Sequence, residues 1–185
     1  HMGSMPGEYP YVRGNKVKNN WEIRQNINAW DAAEGNQQAH RAINNGVDAI
    51  NLVGGQFMKY DELKTLLEGI DMEKVAVHFG GAVSFPTLLA LLKKYMAEKE
   101  VDATKVKGSF NFDPLSYFLI KGEFYKSFEN NIEELVKLMA DMKEALPQFK
   151  ILSVNAQHFH NAGATAIQEL AFGLSSTVEY FSRLV

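Results

Sequence analysis

Five short β-prone segments alternate with helical stretches along this chain, and that alternation leaves few folds open. Trp21, Ile23 and Ile27 fall at period-two positions and predict a strand over Trp21–Ile27. Val47–Val53, Val75–Phe79, Val106–Phe112 and Lys150–Ala156 read as four more strands. Between them Asp31 caps a helix over Ala32–Asn45 that Asn45-Gly46 closes. Tyr60-Asp61 opens a second helix with Leu63, Leu66, Leu67 and Ile70 on one side. Phe85–Glu98 tolerates Pro86 in its first turn, and Asp113-Pro114 starts a short helix to about Lys121. Over Ser127–Leu146 the residues Phe128, Ile132, Leu135, Met139, Met142 and Leu146 make one apolar stripe. A last helix is expected over Ala164–Leu184, with Ile167, Leu170, Leu174, Val178 and Phe181 facing inward.

Strand–helix alternation implies parallel pairing through right-handed crossovers. Two α/β architectures satisfy it: an open doubly wound sheet, or a run of units from a closed eight-stranded barrel. Arg24, Asn26, Asn51, His78, Asn111 and Asn155 are polar residues in or near strand positions. A barrel with its site at the carboxyl ends of the strands accounts for them better than an open sheet. The expected fold is therefore a partial TIM barrel of about five βα units. It reads as cut after Val185, roughly three units short of closure. An unpaired strand edge should result, covered by a helix, by the N-terminal arm or by another copy of the chain. His1–Met5 reads as an expression-tag remnant, residues 6–20 as an extended arm, and residues 21–185 as the barrel fragment.

Composition narrows the function classes. Of 185 residues 46% are hydrophobic and 22% charged, which excludes a mainly disordered chain. Nineteen basic against 22 acidic residues give a net charge of −3, so a nucleic-acid partner is not expected. The absence of cysteine rules out disulfides, thiolate metal sites and cysteine nucleophiles, and it fits a reducing, cytoplasmic location. No apolar run reaches the ~18 residues that a membrane span requires, and no signal-peptide pattern is seen.

Residues able to do chemistry are few. His78, His158 and His160 could form a barrel metal site if the fifth strand ran far enough to put both later imidazoles on one face. The competing reading is a polar loop with one hydrogen-bonding histidine, and no acidic ligand stands nearby to favour the metal. Gly54-Gly55 and Gly80-Gly81 could admit a phosphate or merely make tight βα turns. Asp113 could present a carboxylate, though a helix cap before Pro114 explains it more simply.

Several stretches together resemble one family. Pro10-Tyr11-Val12-Arg13-Gly14, Trp21-Glu22-Ile23-Arg24-Gln25 and Gly80-Gly81-Ala82-Val83 are similar to segments of the acyl-CoA mutases, the methylmalonyl-CoA mutase group. So are Ser153–His158 and the run Asn161-Ala162-Gly163-Ala164-Thr165-Ala166-Ile167-Gln168-Glu169-Leu170-Ala171-Phe172. The resemblance implies a substrate barrel followed by a cobalamin domain, and isomerisation of methylmalonyl-CoA and succinyl-CoA through adenosylcobalamin. His158 matches the family histidine that hydrogen-bonds the thioester carbonyl. Other family positions depart. Lys16 stands where a tyrosine lies between corrin and substrate, and Lys121 falls near an arginine that pairs the substrate carboxylate. Asn111 falls near a glutamine, and Val53-Gly54-Gly55-Gln56-Phe57 replaces a longer substrate loop.

One retained histidine among lost partners resembles the small, non-catalytic subunit branch. His158 would then be a vestigial catalytic residue, with Asn111 and Lys121 as weak substrate contacts. Adenosylcobalamin would belong to the holoenzyme, with none expected on this fragment. The partner would be the large subunit, with self-association of the truncated barrel as a further expectation. The alternatives are an active family member with shifted site residues, a metal-dependent barrel hydrolase using the three histidines, and an interaction module without ligand.

Overall fold

A computed structural model describes residues 3–18, 21–81, 84–124 and 126–184. Its elements are β1 (Arg24–Asn28), α1 (Ala32–Asn44), β2 (Ala49–Val53), α2 (Tyr60–Leu67), β3 (Ala76–Phe79) and α3 (Phe85–Glu98). They continue as β4 (Gly108–Phe112), α4 (Pro114–Lys121), α5 (Phe128–Ala145), β5 (Phe149–Leu152), α6 (Gln157–Asn161) and α7 (Ala166–Leu184). Local chemistry sets the helix starts. The side chains of Asp31, Ser84, Asp113 and Ser127 each accept a hydrogen bond from the backbone amide three residues on, which satisfies a donor the first turn leaves open. Pro86 and Pro114 sit in first turns, where a missing N–H costs nothing.

All five strands are parallel, in the order β1-β2-β3-β4-β5. The order never reverses, so the sheet is singly wound and the doubly wound alternative does not hold. The sheet is not closed: β1 and β5 are its two edges.

Register assigns each strand residue to a face. Ile27, Leu52, Phe79 and Phe110 are cross-strand partners and all are fully buried. Two residues earlier on each strand, Ile50, Val77 and Phe149 share their side, because side chains alternate with period two. This side packs on Ala39 and Ala42 of α1, Leu63 and Leu66 of α2, Leu88 and Leu92 of α3 and Leu138 and Met142 of α5. Edge-on rings tie the layer together, with centroids 5.2 Å apart for Phe57–Phe79, 5.8 Å for Phe79–Phe110 and 5.1 Å for Phe110–Phe149.

Four sequence expectations change. The first strand begins at Arg24, and Trp21 and Ile23 before it are exposed. The fifth strand ends at Leu152, because the chain turns into α6 instead of continuing. In α5 the inward residue is Leu138, while Met139 is 41% exposed. In α7 the predicted inward stripe faces solvent, with Ile167 82% and Val178 66% exposed; Tyr180 is the residue that α7 buries. The N-terminal arm is exposed and curls on its own hydrogen bonds, Tyr11 N to Glu8 O and Gly7 N to Gly14 O. Ala82 and Val83 of the Gly80–Val83 turn, Asn19 and Asn20 of the arm, and His1 and Met2 of the expected tag remnant lie outside the described residues.

Candidate functional site

The side of the sheet opposite the core carries polar residues. Asn26, Asn51, His78, Ser109 and Lys150 are register partners, one from each strand, and so line one row across this face. Asn51 Nδ2 donates to Asn26 Oδ1 at 2.9 Å. His78 Nδ1 and Ser109 Oγ lie 2.8 Å apart, and Ser109 Oγ reaches Asn111 Oδ1 at 3.5 Å. Two atoms of the row, Asn51 Oδ1 and His78 Nε2, are buried with no hydrogen-bond partner among the described residues. Burial pushes the His78 imidazole below its ordinary pKa, and the charges of Arg24 and Lys150 add to the effect against an opposing one from Glu22. His78 is therefore held neutral on a face that both edge strands make cationic.

The carboxyl ends of β4 and β5 meet α7 in a second polar group. Asp113 Oδ1 accepts from Tyr180 Oη at 2.6 Å and from Ser116 N at 3.1 Å. Its Oδ2 accepts from Asn155 N at 2.7 Å and Asn155 Nδ2 at 2.8 Å. Leu115 N donates to Tyr180 Oη at 2.9 Å. Burial and the neighbouring carboxylate push the Tyr180 phenol far up, so it stays a donor. This arrangement confirms the capping reading of Asp113 and ties three elements together.

The histidines do not converge. His78 lies within β3, while His158 and His160 lie in α6 beyond the end of β5. His158 is half-buried and its side chain makes no hydrogen bond among the described residues. Exposed His160 places Nδ1 3.0 Å from Glu169 Oε2. Among the described residues no three histidine or carboxylate side chains are grouped as metal ligands, because strand five stops before it could align the later pair. Asn111 stands half-buried on β4, and Lys121 is exposed at the last position of α4; no hydrogen bond joins either to His158. Gly54 (φ +85°) and Gly55 make a turn whose backbone is covered by ring groups: a Cβ on Gly54 would strike the Trp30 indole, and one on Gly55 the Phe57 ring. Close ring packing thus explains this pair without a phosphate.

Sequence reasoning missed Ser109 and Tyr180. Tyr180 had one visible signal, a large ring off the apolar stripe of an amphipathic helix, a signal that Phe172 shares. Ser109 had none, because only strand register places it beside His78.

A singly wound parallel α/β sheet with a polar row opposite its core and polar groups at the strand carboxyl ends defines a class of βα-repeat domains that carry sites on one side of the sheet. The chain belongs to the methylmalonyl-CoA mutase family, whose model matches residues 1–56 and 53–185. It is 32% identical over 184 residues to the methylmalonyl-CoA mutase small subunit of Porphyromonas gingivalis, covering 98% of this chain and 29% of that protein. Against the small subunit of Streptomyces virginiae it is 32% identical over 185 residues, covering 97% and 29%. Against the methylmalonyl-CoA mutase of Rhizobium meliloti it is 24% identical over 208 residues, covering 97% and 29%. The chain thus spans less than a third of the length of these relatives. The family is one of isomerases.

A cavity of about 520 Å³ lies against α1 and α2, one of about 220 Å³ lies between these helices and the turns that follow β1 and β2, at the carboxyl ends of those strands, and one of about 210 Å³ lies at the amino ends of the strands. His158 lines none of these three.

Proposed function

We propose that this chain forms the first five βα units of the substrate barrel of a methylmalonyl-CoA mutase small subunit, and that it serves as a scaffold for the large subunit. The observation that carries the scaffold role is the state of the family positions. Among the described residues the His158 side chain makes no hydrogen bond, Lys121 is exposed, and the Asp113 carboxylate accepts four hydrogen bonds within the fold. A pocket for thioester chemistry needs convergent partners around its histidine. The barrel reading is supported by singly wound order and by a polar face opposite the helices, the side that closure would turn inward. Asn111 on β4 and Lys121 at the end of α4 then act as residual polar groups. Adenosylcobalamin belongs to the assembled mutase, and isomerisation of methylmalonyl-CoA to succinyl-CoA is the reaction of that assembly. A cytoplasmic location goes with this reading and with a cysteine-free chain.

The test uses the whole small subunit purified with its large subunit. His158→Ala in the small subunit should leave turnover of methylmalonyl-CoA within about twofold, since a group that touches no reacting atom contributes little to the barrier. Turnover by the small subunit alone with adenosylcobalamin, abolished by His158→Ala, would overturn the scaffold reading and establish an active mutase.

A further inference from the structure

Trp30 stands 73% exposed on the turn after β1, yet its indole is held from behind. The ring lies so close over the Gly54 backbone that a Cβ there would strike it. The turn after β2 is fixed as well. Phe57 is buried with φ +52°, a left-handed conformation that few non-glycine residues adopt, and its ring covers Gly55. Such conformations persist where the surroundings enforce them, and they gather at binding sites. Between the two turns, at the carboxyl ends of β1 and β2, lies the cavity of about 220 Å³. Trp30, Gln56, Phe57, Glu62, Leu63 and Leu66 line it. It is enclosed by the first two βα units and does not lie along the outer side of either edge strand.

Size, charge and shape select the occupant. Sites that enclose a whole small molecule hold about 300–1,000 Å³, so this cavity suits a single side chain. Glu62 Oε1 pairs with Lys59 Nζ at 3.0 Å, but the lysine side chain is 75% exposed, and such surface pairs hold weakly. The Gln56 side chain makes no hydrogen bond among the described residues. An apolar guest would give neither group a partner. A flat, exposed and rigidly backed indole attracts a cation to its face. A guanidinium stacks there while its fork of N–H donors reaches a carboxylate and an amide oxygen together. A lysine ammonium has neither the plane nor the fork.

We propose that this cavity receives an arginine side chain of a protein partner, stacked on Trp30 and paired with Glu62. The inference stands apart from the mutase reading, and its readout is binding, not turnover. The probe is N-acetyl-arginine methylamide, followed by the indole N–H resonances of the 185-residue chain. There are two tryptophans, and Trp21, exposed at the amino ends of the strands, is the internal control. Trp21→Phe assigns the two signals. The capped arginine should shift the Trp30 signal alone and saturably at millimolar concentration. Capped lysine and capped norleucine should bind at least about threefold more weakly. Glu62→Gln should weaken the arginine about threefold with an unchanged circular-dichroism spectrum. Equal shifts at Trp21 and Trp30, or no shift, would overturn the proposal. So would norleucine binding as tightly as arginine, which marks an apolar pocket, or indifference to Glu62→Gln. Free arginine binding about tenfold more tightly than the capped form would assign the cavity to a small molecule and overturn the protein partner.

Discussion

Each oxygen of the Asp113 carboxylate accepts two hydrogen bonds, which occupies about all the lone-pair sites such a group offers. Tyr180 is the donor from α7, and its oxygen also accepts from Leu115 N. Tyr180→Phe removes both links and leaves a partly buried amide unpaired. A loss of about 1–3 kcal/mol in urea unfolding is expected, with the circular-dichroism spectrum retained. The cap on Ser116 was readable from Asp113-Pro114, three residues being a local spacing. The links to Asn155 and Tyr180 were not, since they cross 42 and 67 residues of chain. His158 shows the opposite case. A family motif made it a candidate, and among the described residues its side chain makes no hydrogen bond.

Helices α5 and α7 repeat apolar residues at the same steps of three and four, yet they bury different kinds of face. In α5 Ile132, Leu135, Leu138 and Met142 enter the core, whereas in α7 Tyr180 does. Periodicity identifies a helix and its apolar side but does not show what lies beside it. Between Leu138 and Met139 it could not choose, because both are apolar and each fits the steps of three and four that join Leu135 to Met142. Truncation separates them. Leu138→Ala, at 2% exposure, should cost about 2–5 kcal/mol. Met139→Ala should stay within about 0.5 kcal/mol, as exposed positions usually do. Equal losses in thermal unfolding would show that Met139 belongs to the core after all.

Across the sheet, charges from its two edges act on its middle. Arg24 on β1 and Lys150 on β5 both disfavour protonation of His78 on β3, after burial, the largest cause. A histidine whose folded pKa lies below its unfolded value, near 6.5, takes up more protons unfolded than folded. Its contribution to stability is complete above that pH and is lost as the pH falls toward the folded value. Urea midpoints should therefore drop between about pH 7.5 and 5.5, and His78→Gln should flatten that slope. An unchanged slope would mean that His78 titrates freely. The alternation of strands and helices, the Asp31 and Asp113 caps and the parallel class followed from the sequence, because each is set by residues a few positions apart. The polar row, the Asp113 network and the exposed side of α7 came from tertiary structure. Each depends on which distant strand or helix becomes a neighbour, and local spacing holds no information about that.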